Sequence, residues 1–252
     1  MLTTPWAKRA AAGVAALGPV ALLAGCGSSG STSTTAQPTV FAAASLTQVL
    51  PKIDPDAHYT FAGSGTLETQ IEQGAPADVF AAASPKQPAA LHAKGLVDTP
   101  VKFATNTLVL IVPKTNPAHI TSVSDITKPG VKLVICDVTV PCGDYARTAF
   151  ANLNITDAAM QNVVSQETDV TQVLAQVALG QADAGFVYIT DADAANGKVA
   201  VVRLPAAAKP LATDYIAVVT SGAHQAAATA FVHEVLSPQG QATLQAAGFG
   251  RP

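Results

Sequence analysis

A six-residue stretch occurs twice in the chain, as Val40-Phe41-Ala42-Ala43-Ala44-Ser45 and as Val79-Phe80-Ala81-Ala82-Ala83-Ser84. Each copy is a continuous apolar run that stops at a serine, and helical spacing follows each. After the first copy the apolar positions are Leu46, Val49, Leu50 and Ile53; after the second the pattern runs to about Lys94 and stops at Gly95. An unbroken apolar run bounded by a turn signal predicts a strand buried on both faces. Two such strands, each emptying into a helix, predict paired βα units of one parallel sheet rather than a duplicated domain.

The rest of the chain repeats that alternation. Further strands are predicted at Tyr59–Ala62, Thr107–Pro113, Lys132–Asp137, Val163–Val164, Ala184–Ile189, Val199–Val202 and Tyr215–Thr220. Helices are predicted after Thr66, after Tyr145, over Val170–Leu179, over Ala226–Leu236 and over Gln239–Ala247. Asp169, with Gln172 three residues on, has the spacing of a capping box. The class is therefore α/β with mostly parallel sheets. Two turn-rich passages, Lys114–Ser124 and Pro205–Thr213, bracket a central block. They predict two lobes, the first built from residues 39–113 and 214–252 and the second from residues 114–213.

The first residues do not belong to that pattern. Lys8 and Arg9 precede a mostly apolar run, Ala10–Ala24, that ends in Leu23-Ala24-Gly25-Cys26. The run is shorter than the roughly 20 residues of a membrane span and suits a secretory signal. The tetrapeptide resembles the lipobox of bacterial lipoproteins, which makes residues 1–25 a signal peptide and Cys26 the lipidated residue. Residues 26–38, rich in Ser, Thr and Gly, read as a flexible tether to the cell membrane.

Composition narrows the function. Charged residues make up 12% of the 252 and aromatics 5%, and the formal net charge is −3. Without a Lys/Arg cluster or an aromatic groove, the chain has no means of holding a nucleic acid. The five histidines (His58, His92, His119, His224, His233) have no metal spacing and are expected at the surface. No site for a free metal cation and no cofactor is expected.

The chemistry sits where strands meet helices. The first N–H groups of a helix have no partner inside it and carry a partial positive charge, which suits an anion. Ser45 follows the first strand. Ser64 follows the next, inside Gly63-Ser64-Gly65, where the glycines let another backbone come close. The spacing does not match the G-x-S-x-G elbow of serine hydrolases. Taken singly, each serine is as well explained as a helix cap, Val170 as core and Tyr188 as a packed phenol. Ser84, followed by Pro85, reads as a plain cap, and Asp78, Asp137 and Asp144 as caps or turn residues. Cys136 and Cys142 lie six positions apart across a turn. Whether they form a disulfide depends on geometry that the spacing leaves open.

Together these stretches resemble the molybdate-binding component of bacterial molybdate ABC importers. The resemblance is carried by Phe41–Thr47, Phe61–Leu67, Gly74–Phe80, Asn106–Val109, Val140–Gly143, Glu167–Val170 and Gly185–Tyr188, and it spans nearly all of the chain beyond the tether. It implies a two-lobed type II periplasmic-binding-protein fold that clamps one oxyanion, molybdate or tungstate, and delivers it to an ABC permease. It also implies a monomer and no enzyme activity. Carried over by position, Ser45 and Ser64 line one side, and Cys142, Val170 and Tyr188 the other. The backbone N–H groups of Ser45, Ser64, Cys142 and Val170 would donate, as would both serine hydroxyls and the Tyr188 phenol. Cys142 departs from relatives that carry alanine, but a backbone donor tolerates the change. Molybdate at neutral pH only accepts hydrogen bonds, and none of the five positions is charged. The rival readings are sulfate, thiosulfate or an organic acid on the same fold, a hydrolase using Ser64, and a lipoprotein that binds another protein.

Overall fold

The computed structural model describes residues 36–208 and 210–252. The signal peptide, Cys26 and most of the 26–38 tether lie outside the described residues.

β1 (Thr39–Ala43) leads into a 3-10 turn at Ala44–Leu46, and the four-residue helix α1 (Leu50–Ile53) follows. The expected single helix is split here because Pro51 has no N–H to give and fits only a helix's first turn. Ser45 therefore sits in a 3-10 turn and not at the start of an α-helix. Next come β2 (His58–Ala62), α2 (Ser64–Glu72), β3 (Val79–Ala82) and α3 (Lys86–Ala93). β1 pairs in parallel with β2 and β3, and the repeat aligns with itself across the ladder: Val40 opposite Val79, Phe41 opposite Phe80, Ala42 opposite Ala81. Both faces of this sheet are buried. Val40, Ala42, Val79 and Ala81 belong to one apolar cluster, while Phe41, Phe80 and Ala82 join Leu67, Ile71 and Leu91 of α2 and α3 in another.

β4 (Val101–Pro113) is one strand of 13 residues. Its first part, to Thr107, pairs antiparallel with β9 (Leu211–Val218), which in turn pairs antiparallel with β3. From Leu108 onward it pairs antiparallel with β7 (Ala184–Tyr188) and β8 (Val199–Val202). Beyond β7 come β5 (Leu133–Cys136) and β6 (Val163–Glu167), parallel to one another. The path is β2-β1-β3-β9-β4-β7-β5-β6, with β8 on β4. The parallel pairings are those in which a helix carries the chain back. The long strands β4 and β9 add antiparallel pairings that the expectation of mostly parallel sheets did not include. We call the strands from β2 to the start of β4 the first half, and those from Leu108 to β6 the second.

The second half carries α4 (Pro141–Asn152), α5 (Thr156–Gln161), α6 (Val170–Ala178) and α7 (Ile189–Ala194); α8 (Gln225–Leu236) and α9 (Pro238–Ala246) close the chain. Asp78 ties the start of the first half to its end. Its carboxylate accepts the N–H groups of Thr39 and His224 and lies 3.0 Å from His224 Nδ1. Burial works against its charge, but these bonds outweigh burial and hold its carboxyl below the usual range. His224, whose side chain stays 40% exposed at the surface as expected, is thus a structural partner as well.

Candidate functional site

β1, β2, β3 and β7 end at one small cavity, and the turns that follow β5 and β6 reach it as well. Open α/β sheets commonly bind ligands at the carboxyl ends of their strands, where the loops diverge. Ser45, Ser64, Cys142, Val170 and Tyr188 all line this cavity. The five residues named from the sequence are thus brought together, two from the first half and three from the second. All five are buried, with exposures from 1% to 6%.

The local structure leaves donors free. α2 begins at Ser64 behind Gly63 and has no side-chain cap. α4 begins at Pro141-Cys142 behind Val140, also without a side-chain cap. The 3-10 turn holding Ser45 is uncapped as well. Only α6 is capped, by Asp169, which accepts from Thr171 N and Gln172 N and leaves the Val170 N–H unbound. Uncapped helix starts expose N–H groups that have no intrahelical partner. The four backbone positions read from the sequence are therefore at places where the fold supplies an open donor.

The side chains behave alike. The Ser45 hydroxyl and the Tyr188 phenol are buried and without a hydrogen-bond partner. Such groups are rare in folded proteins, because leaving one unpaired costs about 1–3 kcal/mol. The Ser64 oxygen accepts the Ala83 N–H at 3.2 Å, which fixes the hydroxyl and leaves its proton to donate. Burial pushes the Tyr188 phenol well above its ordinary pKa, and nearby Tyr145, Asp214, Asp191 and Asp144 add to the effect. The phenol stays protonated and stays a donor.

Asp169 also lines the cavity, and both of its oxygens are used within its own helix start. One of its oxygens takes Thr171 N, Thr171 Oγ1 and Gln172 N, and the other takes Gln172 Nε2. No lysine, arginine or histidine lines the cavity. Such a site holds an anion through neutral dipoles and charge-assisted hydrogen bonds.

Two devices hold the second half's rim. A disulfide joins Cys136, at the end of β5, to Cys142, with Cα atoms 5.8 Å apart. Asp191 accepts the Tyr188 N–H at 3.0 Å. Burial raises the Asp191 carboxyl to about 7, against the lowering effect of that bond. Sequence reasoning missed Asp191 because the α7 turn after Tyr188 carries no distinctive spacing. It read Asp137 and Ser84 correctly: Asp137 accepts Thr139 N and Oγ1, and Ser84 Oγ accepts Lys86 N.

A donor-lined cavity at the strand ends of a two-part α/β sheet defines a ligand-binding protein. The profile of bacterial extracellular solute-binding proteins matches residues 38–250, and the chain belongs to that family. It is 40% identical over 252 residues to the molybdate-binding protein ModA of Mycobacterium tuberculosis (strain H37Rv), covering 92% of this chain and 94% of the relative. Against the molybdate-binding protein ModA of Escherichia coli K12 the identity is 32% over 227 residues, covering 84% and 88%. Among solved structures, a substrate-binding domain from Clostridium difficile is 33% identical with a TM-score of 0.62, covering 86% of this chain and 99% of that one. The periplasmic molybdate-binding protein of Azotobacter vinelandii has a TM-score of 0.75 at 24% identity, covering 86% and 100%, and shares the fold. The family is one of solute-binding proteins rather than enzymes, which disfavours a hydrolase using Ser64. Among the described residues no helix is long and apolar enough to cross a membrane.

Proposed function

We propose that this protein captures molybdate, and tungstate with it, outside the cytoplasmic membrane and hands it to an ABC permease. The observation that carries the reading is the pair of buried, partnerless hydroxyls, Ser45 Oγ and Tyr188 OH, at a cavity rimmed by uncapped helix starts. Molybdate is a tetrahedral dianion whose oxygens only accept, and every free polar group named at the cavity can donate. Phosphate keeps a proton near neutral pH and would need an acceptor, whereas both oxygens of the one carboxylate at the cavity already accept from its own helix start. The relatives named for molybdate at 40% and 32% identity support the same ligand.

In this reading Ser45 and Ser64 hold the anion from the first lobe, and Cys142, Val170 and Tyr188 hold it from the second. The lobes would be residues 39–113 with 214–252, and residues 114–213, except that Leu108–Pro113 of β4 pairs with strands of the second. Binding favours closure because only the closed form brings donors from both lobes to one anion. A lipid on Cys26, after removal of residues 1–25, would keep a monomeric domain near its permease at the cell membrane.

Thermal unfolding of the chain from Gly27 onward, with and without sodium molybdate, tungstate, sulfate or phosphate, tests the proposal. Free anion at 100 times its dissociation constant should add about 2.7 kcal/mol, or about 5–10 °C. A shift with molybdate and tungstate alone is expected. An equal shift with sulfate would leave an oxyanion-binding protein without the selectivity, and no shift with any anion would overturn the assignment.

A further inference from the structure

Ser64 is flanked by Gly63 and Gly65, and neither glycine is there for an unusual backbone. Gly63 sits at φ −61° and ψ 139°, open to any residue, and Gly65 lies inside the first turn of α2 with no left-handed φ. What both positions lack is room. A Cβ on Gly63 would meet the carbonyl oxygen of Thr168, and one on Gly65 would meet that of Thr139, both far inside the 3.0 Å that real Cβ atoms essentially never cross. The obstacles are backbone atoms, so no side-chain rotation relieves them.

Thr139 and Thr168 both belong to the second half. They lie in the turns that deliver Cys142 and Val170 to the cavity. The first turn of α2 therefore seats directly on the facing half, backbone to backbone, on both sides of Ser64. Two further contacts cross at the same rim: Gln87 Nε2 reaches the Thr139 carbonyl at 3.4 Å, and Lys86 Nζ lies 3.9 Å from the Asp144 carboxylate. Both are long, so the tight approach is the work of the glycines.

We infer that Gly63 and Gly65 are closure residues. They contribute no donor to the ligand, and their missing side chains let the two halves come close enough for both sets of donors to reach one anion. The inference rests on the molybdate reading above and deepens it. It separates two properties that usually move together. In an open protein the Thr139 turn would stand clear of position 65, and alanine there favours a helix over glycine. Gly65→Ala should then stabilise the empty protein while weakening the loaded one.

The test uses the full chain and two variants, Gly65→Ala and Gly63→Ala, with Thr66→Ala on the exposed side of the same helix turn as control. Sodium molybdate is titrated by calorimetry, ligand-free melting is followed by circular dichroism, and closure is read as a fall in radius of gyration by small-angle scattering. Gly65→Ala is expected to melt about 1–4 °C higher than wild type without ligand. It should bind molybdate at least about a hundredfold more weakly, because the donors of the second half no longer reach. Its scattering should not contract on adding molybdate. Gly63→Ala should share the loss of affinity and of contraction. Wild-type affinity in both glycine variants would overturn the inference. So would a ligand-free loss of stability in Gly65→Ala that Thr66→Ala does not share, since the contact would then exist in the resting protein. A wild type that ignores molybdate would sink the ligand assignment. The ligand-free arm would still decide the glycines: a gain supports a contact made only on closing, and a loss refutes it.

Discussion

The two rims of the cavity are built on different principles. On the first-half rim both candidate residues, Ser45 and Ser64, offer a hydroxyl beside the backbone N–H, and both stand on uncapped turns. On the second-half rim Cys142 and Val170 can offer the backbone N–H alone, and the structure around them is pinned: a disulfide at Cys142, the Asp169 cap at α6, and Asp191 beneath Tyr188. A side-chain donor can turn toward its ligand. A backbone donor points where the chain points, so its chain must be fixed. The second rim therefore carries the covalent and capping restraints, and the first carries the glycines that let it approach.

The sharpest way to break this contrast lies within the first rim. Ser64 and Ser45 look equivalent, yet only the Ser64 oxygen has a partner, the buried Ala83 N–H. Ser64→Ala should weaken molybdate binding about 10–100-fold, the range for a hydrogen bond to a charged group. It should also destabilise the empty protein by about 1–3 kcal/mol, because Ala83 N is left unpaired. Ser45→Ala should show a similar loss of affinity with no loss of ligand-free stability, since its hydroxyl is already unpartnered. Calorimetry and chemical denaturation separate the two. Equal stability losses in both variants would contradict the difference in their roles.

A somewhat smaller effect is expected from Asp191 on the pinned rim. Its carboxyl is raised from 3.8 to about 7 in the folded protein, chiefly by burial. Between those values the native state holds a proton that the unfolded chain has released, so the contribution of Asp191 to stability falls as pH rises through this window. Asp191→Asn keeps an acceptor for the Tyr188 N–H and does not titrate. Relative to wild type, it should gain about 2–3 kcal/mol on going from pH 5 to pH 8. Urea unfolding at the two pH values measures this, and a difference that does not change with pH would show that the carboxyl stays charged when buried.

The same contrast explains how much could be read from the sequence. The α/β alternation, the β1/β3 repeat and the capping role of Asp169 followed from local patterns of apolar and turn residues. Ser45 and Ser64 were visible as serines at strand ends, because part of their candidate role, the hydroxyl, resides in the side chain. Cys142 and Val170 gave no such signal. Their candidate role belongs to the backbone, and a valine that lends its N–H spells the same as a valine in the core. They were found only through likeness to a family. The course of β4 through Val101–Asn106, and the pairing of one strand with both halves, depend on partners more than seventy residues away along the chain. Local periodicity does not carry that information. The split of the helix after Ser45 has a sequence signal in Pro51, which a reading from apolar spacing alone does not use.

Val170 offers the finest test of the contrast. At the first position of α6, proline is a favoured residue, because the N–H it lacks has no intrahelical partner. The preceding Asp169 is extended, at φ −161° and ψ 169°, the conformation a following proline requires. Val170→Pro therefore removes one donor from the cavity while leaving the helix start intact. Val170→Ala trims the same side chain and keeps the donor, so it carries the packing change alone. The proline variant is expected to bind molybdate about 10-fold more weakly than the alanine variant, the effect of one hydrogen bond to an anion. Their ligand-free melting temperatures should lie close together, since neither backbone is strained. If the two bind alike, the Val170 N–H does not reach the anion, and the second rim would hold its ligand through Cys142 and Tyr188. If they differ as expected, the restraints on that rim serve to aim a group that has no side chain to steer it.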